Sequence, residues 1–356
     1  MVHLRQLLRG EPSEVEVLAD RARSLSGIGS IVWLLTYGCN LRCLHCYERG
    51  RSSDELSVED SLRIMDKLEK AGRPLIFVSG GEPLVRREVL RMLEDLRARG
   101  FGVILSTNGT LIDRSVAERL PDLVKNVAIP LYGPEELHDA ITRVKGSHGK
   151  VIESLRMLKG SVGLTLKTIA SRRTVKHLDY LLGLISRYEV TTLYLCDLIP
   201  NPGMGDALSD AEWRKLMDEL IRVLLDMDIE IDLGLHPSAA VYMMLKLGYA
   251  FPEIARRLSG RRLAREGYYI AIAPNGDALV SSYTPDLRLG NILKDELSDL
   301  VRKELFVRLR SSENLRGRCS RCPLRDSCGG SRVKAYLHSG DVLGEDPTCL
   351  VRDMVA

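Results

Sequence analysis

The chain has 356 residues, of which 45% are apolar and 28% charged, and its 51 basic and 48 acidic residues leave a net charge of +3. This composition is typical of a globular protein with two domains, or with one large domain and an appendage. It offers no charge excess for nucleic acid and no apolar run long enough to cross a bilayer. With no signal peptide at the N-terminus, we expect a cytoplasmic protein that binds neither nucleic acid nor membranes.

Strand and helix patterns alternate from about residue 28, after a polar, helical segment (1–27) that we expect to cover the main domain. The predicted strands are 31–36, 75–79, 102–106, 126–131, 162–169, 191–197 and, more weakly, 229–234. The predicted helices are 58–71, 86–99, 114–120, 148–158, 176–188 and 209–227. This order predicts an α/β fold in which a parallel sheet forms an open or partial (β/α)6 barrel over residues 28–235. Residues 236–356 are predicted to form a second, less regular domain.

Eight cysteines in such a chain favour metal ligation over disulfides, and only Cys196 stands outside two groups. Cys39, Cys43 and Cys46 form the first group, on a loop directly after the first strand of the alternation. Three thiolates at this spacing suit an iron–sulfur cluster or zinc. Zinc usually has four ligands, and His45 could offer one only from an adjacent, badly angled position. A 4Fe–4S cluster held by three thiolates keeps one iron open for a substrate or cofactor.

The segment from Cys39 to Tyr47 resembles the signature of the radical S-adenosylmethionine (radical SAM) enzymes, including the aromatic residue after the third cysteine. The resemblance implies that the open iron of a 4Fe–4S cluster chelates the amino and carboxylate groups of SAM. An electron from the cluster then cleaves SAM, and the 5′-deoxyadenosyl radical abstracts hydrogen from substrate. Cluster and SAM perform this chemistry, so no further catalytic side chain is implied. A zinc knuckle or a partial ferredoxin-like site is the alternative.

Two later segments, each directly after a predicted strand, resemble the SAM-binding motifs of the family. One is the Gly-Gly-Glu-Pro turn, whose counterpart binds the amino group of SAM, and the other is similar to the "TNG" segment near the ribose or carboxylate. The resemblance implies SAM contacts from Gly80, Gly81, Glu82, Pro83, Ser106, Thr107 and Asn108. Many relatives also carry an arginine after the fourth strand. Here Arg143 is displaced by about one residue, and it is either a clamp for the SAM carboxylate or a solvent-facing side chain.

The second cysteine group lies near the C-terminus and consists of Cys319, Cys322, Cys328 and Cys349. Four thiolates in a loop-rich tail can complete either a zinc site or a 4Fe–4S cluster. Beside a radical SAM core they resemble the auxiliary-cluster module known as SPASM. Residues 273–277 and 289–292 are similar to the hairpin and the following segment of that module.

A full SPASM module carries three more cysteines than this chain. Of the regions that carry them, the first has Ser281 and Ser282 instead, the second has no cysteine soon after Gly290, and the third has Arg332. The comparison with the module therefore predicts a single auxiliary 4Fe–4S cluster, fully ligated by the four late cysteines, in a small SPASM-like (twitch-like) domain. Such a cluster would relay electrons or shape the pocket.

Residues 32–36, 328–336 and 344–349 resemble the radical SAM enzymes of heme and d-type heme biosynthesis. This resemblance implies hydrogen abstraction from a side chain of an iron tetrapyrrole, with decarboxylation or loss of the side chain, and an external electron donor such as ferredoxin or flavodoxin. The tail is also similar to that of the mycofactocin peptide-modifying enzyme, so a maturase acting on a peptide precursor is the alternative. A non-catalytic iron–sulfur or zinc protein is a third possibility.

Arg257, Arg261 and Arg265 follow one another at helical spacing. Such a run is either a solvated face or a clamp for a substrate with several carboxylates. For a tetrapyrrole substrate we predict the clamp, with Tyr268 and Tyr269 packed on the ring.

Overall fold

One mixed β-sheet organises the part of the chain that the computed structural model describes, namely residues 2–10, 14–48, 50–51, 54–199, 205–259, 263 and 266–354. The strands are β1 (Val2–His3), β2 (Ser30–Leu34), β3 (Leu75–Ser79), β4 (Val103–Ser106), β5 (Asn126–Pro130), β6 (Gly163–Ala170), β7 (Thr192–Asp197), β8 (Glu230–Gly234), β9 (Tyr269–Ile272), β10 (Asp277–Leu279) and β11 (Arg288–Asn291). They pair in the order β1-β8-β7-β6-β5-β4-β3-β2-β9-β10-β11.

The helices between β2 and β8 connect successive strands, as expected of parallel β–α units. The described helices are α1 (Leu4–Arg9), α2 (Glu14–Ser26), α3 (Val58–Lys70), α4 (Val89–Ala98), α5 (Arg114–Leu123), α6 (Glu135–Thr142), α7 (Ser147–Leu158), α8 (Leu178–Tyr188), α9 (Asp210–Asp226), α10 (Pro237–Lys246), α11 (Phe251–Arg257), α12 (Leu297–Leu300), α13 (Glu304–Arg310), α14 (Arg318–Arg321) and α15 (Arg332–Ser339). Within the described ranges, none of them combines the length and apolar character that a bilayer crossing demands.

The parallel strands β2 to β8 confirm the predicted α/β class, and their bounds agree with the sequence patterns to within about two residues. Strand β6 shows how the sheet separates core from site. Leu164 and Leu166 on one face are fully buried, whereas Lys167 and Ile169 on the other face line a cavity, which Thr168, nearer the carboxyl end of the strand, also lines. The carboxyl ends of these strands therefore carry the side chains available for ligand binding.

Two elements of the N-terminal half differ from the expectations. Residues 1–27 were expected to cover the domain, but β1 also extends the sheet by pairing antiparallel with β8, and His3 Nδ1 lies 2.5 Å from Asp232 Oδ1 across that pair. Helix α6 was not predicted, because its eight residues are too few for a clear apolar period. It begins after Pro134 and ends at Arg143, whose φ of 57° stops the helix.

The C-terminal part continues the same sheet. Strand β9 pairs in parallel with β2, and β9 with β10 forms the predicted hairpin, whose turn places Gly276 at a φ of 83°. The short helices α12 to α15 and their loops follow. Helix α10 packs between these parts with nearly all of its side chains buried, and an all-round apolar helix lacks the amphipathic pattern that sequence reading relies on.

Candidate functional site

The loop that carries the first three cysteines is anchored on helix α6. The backbone N–H of Arg42 donates to Thr142 O at 3.0 Å, and that of Leu44 donates to Ile141 O at 2.9 Å. A turn then closes with Cys46 N donating to Cys43 O at 3.3 Å. The end of α6 therefore fixes the loop beside the carboxyl ends of the barrel strands.

Cys39, Cys43 and Cys46 line one cavity of about 340 Å³. The Leu41 N–H and the Asn108 amide both donate to Cys39 Sγ, at 3.4 and 3.8 Å, as donors do to the sulfurs of iron–sulfur sites. Burial, together with the neighbouring thiols, raises the pKa of Cys43 to about 12. A bound cation reverses this effect and deprotonates its thiol ligands, so the loop suits a positively charged metal centre.

His45 faces Tyr132 and does not join the three thiols as a fourth metal ligand in this structure. Its Nε2 lies 3.0 Å from the Tyr132 hydroxyl, and the two rings meet edge to face at 4.7 Å. Burial lowers the pKa of His45 to about 4, so the ring is neutral. The sequence-based objection to His45 as a zinc ligand thus agrees with its position against Tyr132.

Both glycines of the Gly-Gly-Glu-Pro turn are required by the cysteine loop itself. A Cβ on Gly81 would lie 2.2 Å from Gly38 O, and one on Gly80, whose φ is 140°, would lie 2.4 Å from Thr36 O. Gly81 N also donates to Thr36 O at 2.7 Å. The sequence suggested close approach to a ligand, and both glycines do line the cavity, but the tightest contact is between the two loops.

Glu82 points away from the cavity that it was expected to line. Its carboxylate is fully buried and accepts from the Thr107 hydroxyl at 2.6 Å, from Asn108 N at 2.5 Å and from Leu84 N at 3.0 Å. Burial raises the pKa of Glu82, and these hydrogen bonds oppose that rise. Glu82 therefore positions Thr107 and Asn108, which line the cavity together with Ser106, whereas Pro83 and Glu82 do not.

A lysine that the sequence analysis did not single out provides positive charge in the cavity wall. Lys167 on β6 donates to Ser106 Oγ at 2.9 Å and lies 5.8 Å from the centre of the Tyr194 ring. Burial lowers its pKa. The sequence signal for this role was a charged residue inside an otherwise strand-like run. Arg143, by contrast, is exposed at the end of α6.

The same wall contains buried polar atoms without a hydrogen-bond partner among the described residues. These atoms are both ring nitrogens of His138 and the hydroxyl of Thr168. Burial lowers the pKa of His138 to about 4, so its ring is neutral. Because unpaired buried polar groups are costly, they are the groups that a bound ligand would satisfy.

The four late cysteines line a second cavity of about 230 Å³. Backbone N–H groups point at two of the sulfurs, from Asp346 to Cys319 at 3.5 Å and from Leu324 to Cys322 at 3.4 Å. Burial raises the pKa of Cys349 to about 11 and also raises that of Cys328. The second cavity thus repeats the donor chemistry of the first, with one more thiol.

Hydrogen-bonded side chains occupy two of the places where a full SPASM module has further cysteines. Arg332 is 1% exposed and donates to Gly344 O at 2.6 Å and to Cys319 Sγ at 3.8 Å. Ser281 is buried and bonds the Tyr269 hydroxyl at 2.8 Å. Tyr269 is thereby part of the C-terminal packing.

Of the predicted arginine clamp, the structure describes Arg257, which faces neither cavity. Arg257 pairs with Glu253 on its own helix at 3.3 Å and lines neither cavity. Tyr268 packs against arginine side chains outside both cavities. Arg261 and Arg265 lie outside the described residues.

Comparisons with known proteins agree with these two sites. A model of the radical SAM superfamily matches residues 33–169, and a model of the SPASM iron–sulfur cluster-binding domain matches residues 264–323. An AdoMet-dependent heme synthase of Methanosarcina barkeri is 27% identical over 337 residues, which are 90% of this chain and 96% of that protein. Mycofactocin maturase MftC of Mycobacterium tuberculosis is 31% identical over 341 residues, which are 92% and 84% of the two chains.

Among solved structures, Streptococcus suis SuiB bound to S-adenosylmethionine superposes with a TM-score of 0.74 at 16% identity, covering 92% of this chain and 79% of that chain. This likeness concerns the fold. The two domain matches and the relatives confirm the resemblance drawn from the cysteine motifs, and they imply 4Fe–4S clusters and SAM as cofactors. The chain therefore belongs to the radical SAM superfamily, as an enzyme with a C-terminal SPASM domain.

Proposed function

We propose that Cys39, Cys43 and Cys46 hold a 4Fe–4S cluster on whose open iron SAM binds within the first cavity. The observation that carries this proposal is the convergence of the three thiols, the glycine turn and the Lys167–Ser106 pair on one cavity. Bound there, cluster and SAM supply a 5′-deoxyadenosyl radical that abstracts hydrogen from a substrate. The protein's residues hold and orient SAM and shield the radical from water.

The SAM contacts are assigned by charge and position. Gly80 and Gly81 present backbone to the amino group, and Thr107 and Asn108 lie where the ribose can bind. Lys167, held by Ser106, is the cation for the SAM carboxylate, in place of Arg143. Glu82 and Pro83 act indirectly, because Glu82 holds Thr107 and Asn108 in place.

The proposed substrate is an iron tetrapyrrole, on which loss of a hydrogen atom from a propionate or acetate side chain leads to decarboxylation or side-chain removal. Similarity to a heme synthase over 90% of the chain supports this class. The cavity also has large flat walls, from Tyr37, Tyr47, Tyr132, Tyr194 and Tyr283, and Arg42 lies exposed in its lining, where it can meet a carboxylate. The similarity to MftC makes a peptide precursor the second candidate.

A single auxiliary 4Fe–4S cluster, held by Cys319, Cys322, Cys328 and Cys349, completes the proposal. The packing of Arg332 and Ser281 supports one cluster instead of two, because these side chains are bonded within the protein where further ligands would be needed. With four thiolates the cluster has no open iron, so its role is electron transfer. The electrons come from a donor such as ferredoxin or flavodoxin. We assign the barrel to residues 28–235 and the auxiliary domain to 236–356.

The test begins with anaerobic reconstitution of the full chain. We expect about eight iron and eight sulfide per chain, since each cubane contains four of both, and reductive cleavage of SAM to 5′-deoxyadenosine. Cys43→Ala should abolish SAM cleavage and leave about four iron, whereas Cys196→Ala should keep both clusters. Zinc at the late cysteines would refute the auxiliary cluster.

Substrate class is tested by titrating iron-coproporphyrin and siroheme derivatives while following the Soret band. Binding in the micromolar range that weakens in Arg42→Gln is the expected result. If no tetrapyrrole binds below about millimolar, the tetrapyrrole proposal fails and the peptide becomes the substrate class to pursue.

A further inference from the structure

Three ionisable side chains are buried together in the wall between the two cysteine-lined cavities. Asp197 at the end of β7 is 6% exposed, Lys334 on α15 is 4% exposed and His236 after β8 is 0% exposed. Lys334 Nζ donates to Asp197 Oδ2 at 2.5 Å, and Trp213 Nε1 donates to Asp197 Oδ1 at 3.3 Å. This cluster joins the barrel to the helix that follows the third auxiliary cysteine.

Polar groups run through this wall from one cavity to the other. Asp197 lines the first cavity, and Ser238 lines the second. His236 lies between them, with Nδ1 3.3 Å from Ser238 Oγ and Nε2 3.9 Å from Asp197 Oδ2. Ser238 Oγ also accepts from the backbone N–H of Leu350, the residue after Cys349.

Burying these ionisable groups is not explained by a gain in stability. Replacing a buried ion pair by apolar side chains of similar size is often neutral or stabilising. His236 Nε2, moreover, has no hydrogen-bond partner among the described residues, although its ring is fully buried and packs on Trp213. A histidine with one nitrogen bonded and the other free, 3.9 Å from a carboxylate, is placed to receive a proton.

We propose that Asp197, His236 and Ser238 form a proton relay that couples reduction of the auxiliary centre to proton uptake beside the substrate cavity. The inference rests on the proposed auxiliary cluster. When one electron enters that centre, either from an external donor or from a substrate radical that is oxidised as it gives the electron up, one proton enters the His236–Asp197 pair from the first cavity. The auxiliary centre and the wall together then gain no net charge, and Lys334 stays paired with Asp197 throughout.

The charged neighbours determine the direction of the effect. Burial, and then Lys334, lowers the pKa of His236, while burial raises that of Asp197 against the opposing influence of Lys334, with Asp346 as the next acidic group. An electron added nearby raises the proton affinity of the pair. The reduction potential of the auxiliary centre should therefore fall as pH rises, by up to about 59 mV for each tenfold drop in proton activity.

The experiment is a redox titration followed by electron paramagnetic resonance, on the reconstituted full chain with Cys43→Ala to remove the signal of the first cluster. Potentials are measured from pH 5.5 to 8.5. We expect a pH-dependent potential, and a flat profile in His236→Gln and in Asp197→Asn. Should Asp197→Asn fail to fold, His236→Gln carries the test, because it keeps the Lys334–Asp197 ion pair. The matched control is His3→Gln, which changes another buried histidine that lies beside an aspartate, at the far edge of the sheet.

A flat profile in the unmodified relay, or an unchanged slope in His236→Gln, overturns the proposal. These results are distinguishable from failure of the proposed function. If the late cysteines hold zinc or no metal, iron analysis shows it before any titration, and the auxiliary cluster itself is refuted. An iron–sulfur centre of normal content with a pH-independent potential refutes the relay alone.

Discussion

The guanidinium of Arg332 donates to Sγ of Cys319 at 3.8 Å, which joins a buried arginine to a proposed cluster ligand. Hydrogen bonds and positive charge at a ligating sulfur stabilise the reduced form of an iron–sulfur cluster. We predict that Arg332→Met lowers the reduction potential of the auxiliary cluster. It should also destabilise the protein by about 2 kcal/mol or more, because Gly344 O and Val342 O lose their buried partner.

Redox titration and urea unfolding measure these two effects separately. The matched control is Arg316→Met, since Arg316 is exposed and pairs with Asp341 at the surface. An unchanged potential in Arg332→Met would show that the contact with Cys319 has no electronic consequence.

Gly81→Ala should remove the first cluster and spare the second. The new Cβ would meet Gly38 O at 2.2 Å, so the cysteine loop has to move. Iron content is expected to fall from about eight to about four per chain, with loss of SAM cleavage. Gly183→Ala on α8 is the control, because a Cβ there meets nothing within 4 Å and alanine favours the helix. Full iron content in Gly81→Ala would contradict the assignment.

Lys167→Met should weaken SAM binding while both clusters remain. A charge-assisted contact with a carboxylate is worth about 1.5–3 kcal/mol, so the dissociation constant of SAM should rise roughly tenfold to a hundredfold. Equilibrium dialysis of labelled SAM measures this change. Lys150→Met, on the exposed side of α7, should bind SAM normally. If Lys167→Met binds SAM as tightly as the parent does, Lys167 contacts the substrate and not SAM.

His138 should make the fold less stable in acid. Its pKa falls from 6.5 to about 4 on folding, so the unfolded chain binds the proton more tightly. The stability due to neutral His138 is complete above pH 6.5 and declines as pH falls towards 4, by up to about 3 kcal/mol. The urea midpoint at pH 5 should therefore fall less, relative to pH 8, in His138→Gln than in the parent. Equal pH dependence in the two proteins would refute this role.

Much of the fold could be predicted because hydrophobic patterns and turn residues act locally. The strands β2 to β8 and the turn at Gly80 follow from such signals. The direction of a polar side chain depends instead on the neighbouring strands. Glu82 was expected to face the ligand, but it turns inward because Thr107 and Asn108 donate hydrogen bonds to its carboxylate. These donors lie at the end of another strand, so no local sequence pattern predicts them.

The cavity's cation was missed for the same reason. Lys167 occupies a strand position whose face is decided by the folded sheet, and its contact with Ser106, on the strand two places away in the sheet order, places it in the cavity wall. Arg257 shows the converse error, since helical spacing predicted a basic face, whereas helix α11 ends at Arg257 and that arginine pairs with Glu253. Spacing predicts which side chains share a face of a helix, and tertiary packing decides what that face meets.

The parallel pairing of β9 with β2 has a consequence for any shortened form of this protein. Strand β2, which leads into the first cysteine loop, has β3 on one side and β9 on the other. A chain ending at residue 235 would expose the N–H and C=O groups of β2 along one full side, and such open edges recruit other chains into intermolecular sheets. The barrel without its C-terminal part should therefore aggregate. We expect that the segment with the first cysteine group cannot be isolated as a separate folded domain.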